Sequence, residues 1–532
     1  MKTGGITFHH PLAFWIGCAA VIAGVLAHLP MFMMAAPMHY HLAGMPMNHA
    51  MLAGMALIPL GVALAGYGLM PRIEQMRLTL HGGDHVHFHV ADGIPLNREH
   101  WKLIIVLIVA LAVDVMKPAT LGFVIPGMSS EYDISKSTAG YLALSALTGT
   151  TVGSIVWGRL ADVFGRRSAI LLSAILFMGT SICGAMPTFA WNLLMCFMMG
   201  AAAGGMLPIA FTLMAETIPA AHRGWLLVAL GGIGTSAGYL LASGAATVFE
   251  PVFSWRALWL LNLPTGALIV FLNRYFPESP RFLANAGLND EARAVLRRFS
   301  EDAGHGGPAL DAIDQVVEAH HPVGDMRELL RGRHARITWG LILCGVAWGL
   351  VNFGFLLWLP ANLNLIGIDP KATNLLLAQS AVFALPGIAV VVWLYQRWSS
   401  IRSLVLLIAL TVLSLLAFFA IDALGLRSTT ATIVATVALL SSVSGVIATL
   451  IPYSAEIYPV HLRGTGSGLI AASSKAGGIL GALLGVAGLF GSFMLSAVVI
   501  AVPMAIAGLM LARNGIETRG YRLEEIQLAL SK

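Results

Sequence analysis

Three charged residues stand inside stretches that are otherwise apolar: Asp114 and Lys117 in the run 101–125, and Lys475 in the run 464–487. Ionised groups are expensive in a long apolar segment, so each is a candidate for function by default. Asp114 lies about 18 Å along its helix from Lys102, and Lys475 about 18 Å from Arg463, at about 1.5 Å per residue. Both therefore fall at similar depth, near the middle of a spanning helix. Lys117 follows Asp114 by one turn and can pair with it at i,i+3. A buried acid can take up and release a proton as its surroundings change. One acid beside two bases leaves a positive surplus that would attract an anion. The chemistry implied is proton-linked movement of a small anionic solute, with Asp114 as the proton carrier and Lys117 and Lys475 as anion ligands. A structural ion pair that only locks helices is the alternative. Asn352, Tyr239, Gln379 and Tyr453 are further groups able to touch a solute, although each type also serves in packing or at membrane interfaces.

A second concentration of charge is Gly158-Arg159-Leu160-Ala161-Asp162-Val163-Phe164-Gly165-Arg166-Arg167, between apolar runs near 138–157 and 168–186. It predicts a tight turn at a membrane surface. Gly158 and Gly165 would permit close helix approach and a sharp bend. Asp162 would accept backbone N–H groups or pair with an arginine. The sequence then repeats itself. Ala215-Glu216-Thr217-Ile218-Pro219-Ala220-Ala221-His222-Arg223-Gly224 returns as Ala455-Glu456-Ile457-Tyr458-Pro459-Val460-His461-Leu462-Arg463-Gly464. Such an internal repeat implies two similar bundles about a pseudo-two-fold axis, with a midplane site between them that is opened alternately to each side. Glu216, Arg223, Glu456 and Arg463, together with Asp162, Arg166 and Arg167, are expected to hold the inner side shut through ion pairs. The small residues Gly231–Gly238 suit close packing and rocking.

Of the 532 residues, 57% are hydrophobic and 11% charged. No soluble domain could cover so much apolar surface. Runs of about 20 apolar residues recur along the chain, the length that crosses a bilayer as a helix. The fold class is therefore an all-α membrane protein with about fourteen spans. Residues 1–100 hold a two-helix hairpin, with spans near 11–36 and 49–70, and a His-rich polar segment whose alternation over 81–92 suggests a β-hairpin. Residues 101–276 hold six spans. Residues 277–336 form a polar connection with helical pieces near 288–300 and 308–319. Residues 337–513 hold six more spans, and 514–532 form a tail. Arginine placement puts both chain ends in the cytoplasm and the turn 38–49 outside. The net charge of +5 reads as this orientation signal and not as nucleic-acid binding. Met1 to Phe14 carries one lysine and no cleavage-like end, so no removed signal peptide is expected. Cys18, Cys183, Cys196 and Cys344 lie in apolar runs without metal-ligand spacing and read as packing residues. The turn carries His39, His41 and His49 among methionines, ligand types that suit copper. The polar segment carries His85, His87 and His89, which could chelate from a strand. Neither stretch matches a defined metal motif.

The pattern G-x-L-A-D-x-x-G-R-R resembles the signature loop between helices 2 and 3 of the major facilitator superfamily. Phe276-Pro277-Glu278-Ser279-Pro280-Arg281 resembles the P-E-S-P-R motif of sugar porters. Ile516-Glu517-Thr518-Arg519-Gly520-Tyr521-Arg522-Leu523-Glu524-Glu525-Ile526 resembles their tail motif. Leu121-Gly122-Phe123-Val124-Ile125-Pro126 is similar to the first-span ending of the metabolite:proton symporter branch, which includes aromatic-acid and niacin-type transporters. The resemblance covers about 101–530. It implies a twelve-helix facilitator fold of two six-helix bundles, here with an added N-terminal hairpin. It also implies secondary transport driven by a proton gradient with no cofactor. The departures bear on substrate. The first-span D-G-x-D of aromatic-acid symporters reads Asp114-Val115-Met116-Lys117, and the fourth-span arginine and glutamate of relatives read Cys196 and Met206. The span-seven Q-Q pair of sugar porters is absent, which argues against a hexose. The second counterpart of the signature loop, Leu394–Arg402, has lost its acid and its glycine, so the inner gate should be asymmetric. The reading is a monomeric inner-membrane symporter of a carboxylate-type metabolite, with both termini cytoplasmic, the bilayer as its surroundings and no nucleic-acid partner. Drug or metal-ion efflux is the alternative within transport, and a non-transporting sensor the alternative outside it. No nucleotide loop, catalytic triad or haem motif points to an enzyme.

Overall fold

The computed structural model describes residues 10–69, 95–285, 289–301, 329, 332–365, 369–425, 428–458, 460–489 and 493–518. Every regular element among them is helical. Fourteen segments are long and apolar enough to cross a membrane. The β-hairpin expected near 81–92, with His85, His87 and His89, lies outside the described residues, as do the helical piece near 308–319 and the tail beyond Thr518.

The N-terminal hairpin comprises α1 (Pro11–Leu26), α2 (Leu29–Met34) and α3 (His49–Leu69). The first half of the core follows as α4 (Arg98–Glu131), α5 (Lys136–Phe164) and α6 (Arg166–Gly179), the last extended by a 3-10 turn over Thr180–Ala185. Next come α7 (Phe189–Ala203), continued by α8 (Met206–Thr217), then α9 (Ala220–Phe253) and α10 (Arg256–Leu260), continued by α11 (Asn262–Phe271). Two short helices, α12 (Pro280–Asn285) and α13 (Asn289–Glu301), lead to the second half. That half holds α14 (Gly332–Gly349), a π-helical segment Leu350–Leu356, α15 (Leu357–Leu365), α16 (Pro370–Arg397), α17 (Ser400–Ala423), α18 (Thr429–Ile457), α19 (Val460–Val486) and α20 (Phe493–Asn514).

The chain gathers into two compact units, and the boundary cuts through helices α4, α5 and α9. The first unit holds Met1–Asp114, Gly149–Arg223 and Arg256–Ala319. Apolar side chains gain nothing by leaving lipid for one another, so helices in a bilayer associate where small residues let backbones approach. In the hairpin, Gly17 and Gly24 of α1 meet Gly61 and Gly54 of α3, and Gly68 of α3 meets the backbone at Phe14. A Cβ on Gly17 would come 2.5 Å from Ala65 N, one on Gly61 2.8 Å from Gly17 O, and one on Gly68 2.5 Å from Phe14 N. The hairpin rests on α6, where the side chain of Ile58 occupies the space left by Gly179 and Leu172 lies over Gly66. Its connecting turn is tied by Gly44 N–H donating to Pro187 O at 3.0 Å. Gly149 and Gly153 of α5 lie directly on the α7 backbone at Phe197 and Ala201, and Trp157 Nε1 donates to Ala201 O at 2.6 Å.

The second unit holds Val115–Thr148, Gly224–Trp255 and His320–Lys532. Here α14 and α19 cross on small residues, Gly345 and Gly349 facing Ser473 and Ser474. The π-helical segment follows this crossing directly, and Trp348 Nε1 donates to Val443 O at 2.9 Å. Gly122 of α4 packs on the backbone of Leu357, 2.5 Å from its carbonyl oxygen to an added Cβ, and Gly232 of α9 receives Ile388.

The signature loop is shorter than expected. Helix α5 runs on to Phe164 and α6 starts at Arg166, so Gly165 alone makes the turn. Gly165 has φ +100°, a conformation that favours glycine. Gly158 lies inside α5 with open space where a Cβ would stand. The expected role for Gly158 is therefore corrected: no close approach requires a glycine at this position.

Candidate functional site

Asp114 and Lys117 sit near the middle of the 34-residue α4. Asp114 is 5% exposed and Lys117 fully buried. Lys475, midway along α19, is half-buried. Within the second unit, Lys117 shares α4 with Phe123, whose ring lies 5.9 Å from that of Tyr239 on α9. Tyr239 is nine-tenths buried, and its hydroxyl has no hydrogen-bond partner among the described residues. A buried hydroxyl without a partner carries a desolvation penalty that a solute oxygen would relieve. Asn352 lies half-buried in the π-helical segment, the kind of local irregularity often found at functional sites. Asn362, which sequence reasoning did not single out, is 2% exposed with an unpartnered amide nitrogen. The other two predicted solute contacts stand differently. Gln379 is exposed on α16. Tyr453 is fully buried near the end of α18, where its hydroxyl donates to Ile516 O at 2.8 Å and accepts from Ile516 N–H at 3.0 Å.

At the end of the first unit marked by Gly165, the nitrogens that open α6 are held by a carboxylate whose role no sequence spacing indicates. Glu278, of Pro277-Glu278-Ser279-Pro280, is 1% exposed. Its Oε1 accepts from Arg166 N–H at 2.7 Å and its Oε2 from Arg167 N–H at 3.2 Å. The first N–H groups of a helix lack partners within it and carry positive charge, so an anion fits there. Gly165 is needed twice, since a Cβ would collide with the Glu278 carboxylate. Arg166 Nη2 then reaches Glu216 Oε1 at 3.5 Å, an ion pair between α6 and α8 within the expected latch set. Arg167 Nη2 donates to Asn273 Oδ1 at 3.1 Å, and Arg223 Nη2 to Ile218 O at 3.2 Å. The side chains of Asp162 and Arg463 lie outside what the structure describes.

The second unit repeats the device with different chemistry. Glu517 Oε1 accepts from Ser400 N–H at 3.0 Å and Ser400 Oγ at 2.6 Å, at the start of α17. Glu278 and Glu517 thus do the same work at the start of equivalent helices. Ser399 replaces the glycine as an N-cap in extended conformation, accepting from Arg402 N–H. Glu456, the repeat counterpart of Glu216, accepts from Tyr395 Oη at 3.0 Å and Thr518 Oγ1 at 2.6 Å. These two described contacts of Glu456 come from hydroxyl groups, where Glu216 meets the Arg166 guanidinium.

Three further arrangements carried no clear sequence signal. Glu250, near the end of α9, accepts from Asn374 Nδ2 of α16 at 2.5 Å. Glu131 Oε2 accepts from Trp255 Nε1 at 2.9 Å. At the start of α4, Asn97 Oδ1 accepts from His100 N–H at 3.1 Å, and Glu99 pairs with Arg298 of α13 at 2.6 Å. Of the histidines proposed as metal ligands, His39, His41 and His49 are exposed. No group of three or more His, Cys, Asp or Glu side chains gathers among the described residues, so these three do not form a cage together.

Paired sets of spans with charges near the middle of their helices, and helix starts closed by acids at corresponding places in the two halves, are the architecture of a membrane transporter. The chain belongs to the Major Facilitator Superfamily, whose pattern matches residues 103–482. It is 27% identical over 446 residues to the niacin transporter NiaP of Acinetobacter baylyi, covering 82% of this chain and 98% of that one. It is 27% identical over 403 residues to the 4-hydroxybenzoate transporter PcaK of the same organism, covering 74% and 86%. In three dimensions it resembles the partially occluded inward-open xylose transporter XylE of E. coli, with TM-score 0.64 and 16% identity over 80% of this chain and 99% of that one. The fold is accordingly the twelve-helix facilitator fold with an N-terminal hairpin. The protein is a membrane transporter of small molecules and not an enzyme.

Proposed function

We propose that this transporter carries a small organic carboxylate, most simply an aromatic one, in symport with protons. The observation that carries the reading is Lys117, fully buried at mid-span one turn from Asp114. A charge is retained in the apolar part of a transporter where it handles solute or ions. Asp114 is proposed to take up the coupling proton. Lys117, Lys475, Tyr239 and Asn352 are proposed to receive the carboxylate. Niacin and 4-hydroxybenzoate, named for the two relatives, are both small aromatic carboxylates, which supports this class. The bundles 101–276 and 337–513 would rock about the site, with the helix-start locks at Glu278 and Glu517 released in turn. Energy would come from the proton gradient alone, without a cofactor. The protein would work as a monomer in the inner membrane, with both termini in the cytoplasm and the 39–49 turn outside.

The test is uptake by proteoliposomes of labelled nicotinate and 4-hydroxybenzoate under an inward proton gradient. Wild-type protein should accumulate at least one of them. Asp114→Asn should lose accumulation and keep counterflow exchange. Lys475→Gln should weaken anion binding about tenfold or more, the scale of a lost hydrogen bond to a charged group, and barely affect neutral nicotinamide. Full accumulation by Asp114→Asn would remove the coupling role, and unchanged anion affinity in Lys475→Gln would remove the anion site.

A further inference from the structure

The first unit contains a buried imidazole that transport of an anion does not use. His28 lies where α1 passes into α2 and is fully buried. Its Nδ1 is 2.8 Å from the carbonyl oxygen of Gly24. A carbonyl can only accept, so the ring proton is on Nδ1 and Nε2 carries a lone pair. Nε2 is buried and has no hydrogen-bond partner among the described residues. One ring nitrogen held by a backbone carbonyl, with the other presented bare, is the arrangement of a metal-ligating histidine. The ring is also fixed from across the hairpin, since a Cβ on Gly54 of α3 would stand 3.0 Å from His28 Cε1.

Two buried methionines stand one helical turn from these positions in the chain. Met51 precedes Gly54 by one turn on the same face of α3 and is fully buried, and Met31 follows His28 by one turn and is 2% exposed. The approach has the same character. Exposed Met33, Met34 and Met38 are followed by exposed His39, His41 and His49, and residues 33–49 contain no Asp, Glu, Lys or Arg. Stacking of Phe32 on Tyr40, with ring centroids 4.7 Å apart, holds this turn in place. Thioethers with a neutral imidazole and no carboxylate select a soft monovalent ion, whereas oxygen-rich sets suit magnesium, calcium and manganese.

We propose that the hairpin binds one Cu(I) ion through His28 Nε2 and the thioethers of Met31 and Met51, with the exposed methionines of the turn as its approach. The site is independent of the anion reading, because all of its residues lie in the hairpin.

The test is anaerobic titration of the purified full-length protein with Cu(I) against a chromogenic Cu(I) chelator. Wild-type protein should retain one equivalent. His28→Asn keeps an amide able to donate to Gly24 O, and it should weaken retention by at least about tenfold. The near-isosteric double change Met31→Leu with Met51→Leu should do the same, and it is a second route if His28→Asn does not fold. The triple change His39→Ala, His41→Ala, His49→Ala should retain the ion at equilibrium. X-ray absorption on the loaded wild type should show sulfur ligands and one imidazole nitrogen. Absence of tight Cu(I) binding by the wild type, undiminished binding by His28→Asn or the double variant, or loss confined to the triple variant would each overturn the proposal.

Discussion

Tyr239 is the residue whose environment most directly asks for a ligand. Its hydroxyl is buried without a partner among the described residues, beside Phe123 on α4. Removing an unsatisfied buried hydroxyl does not lose a hydrogen bond and relieves a penalty of about 1–3 kcal/mol. Tyr239→Phe should therefore leave the melting temperature of the empty transporter unchanged or raised. If the hydroxyl meets a carboxylate in the loaded state, the same change should lose about 1.5–3 kcal/mol of binding, tenfold or more in dissociation constant. Thermal shift with and without nicotinate measures both; a lower melting temperature of the empty variant would mean the hydroxyl already has a partner. The charges were legible because Asp114, Lys117 and Lys475 interrupt apolar runs. Asn362 was not, since its significance lies in an amide left unpartnered by packing. For Tyr453 and Gln379 the sequence offers residue type alone. The first serves to anchor Ile516, and the second is exposed on α16.

At the scale of the element, a carboxylate that closes one half of the repeat is also a pH-dependent part of it. Burial pushes the Glu278 carboxyl up to about 7 from its ordinary 4.5, in spite of the N–H groups of Ser279, Arg166 and Arg167. The folded protein therefore holds this proton more tightly than the unfolded chain does. The stability so contributed is fully present below about pH 4.5 and is lost as pH rises through about 7. Glu278→Gln has no such proton, so its melting temperature should lack that component of the decline between pH 5 and 8. Glu278→Ala should be less stable than wild type by about 1–3 kcal/mol, because two buried helix-start N–H groups lose their acceptor. A pH–melting curve of the Gln variant parallel to that of the wild type would place the titration elsewhere. The motifs around Glu278 and Glu517 were visible in the sequence, as was the missing glycine of the second loop. The partners were not, since Arg166 and Glu278 are 112 residues apart, and a local pattern cannot say which helix start an acid will close. The loop itself is shorter than its charges suggest for a related reason. Charged residues suggested a surface turn, yet Arg159 to Phe164 continue α5 because nothing in their types interrupts a helix.

The whole molecule was the most legible level, because hydropathy alone counts spans: lipid leaves backbone polar groups no partner outside a helix. All fourteen expected spans are found. Hydropathy could not show how the added hairpin sits, since apolar helices look alike to it. The glycine spacing held that information: Gly17 against Gly61, Gly24 against Gly54 and Gly68 against Phe14 make a close-contact seam. The hairpin lies along α6 and the 3-10 turn that follows it, with Ile58 over Gly179 and Leu172 against Gly66, while the family pattern begins only at residue 103. A hairpin that lies outside the family pattern predicts two separable outcomes. Deleting residues 1–95 should leave a membrane-inserted twelve-helix core that elutes as a single species and still binds the transported anion. Gly61→Leu would force the α1–α3 backbones apart, and it should expose the hairpin to limited proteolysis with little change in anion binding by the core. If the deletion abolishes insertion, or if Gly61→Leu weakens anion binding as strongly as Lys475→Gln, then the hairpin is an integral part of the transporter, and the seam along α6 is where its influence enters.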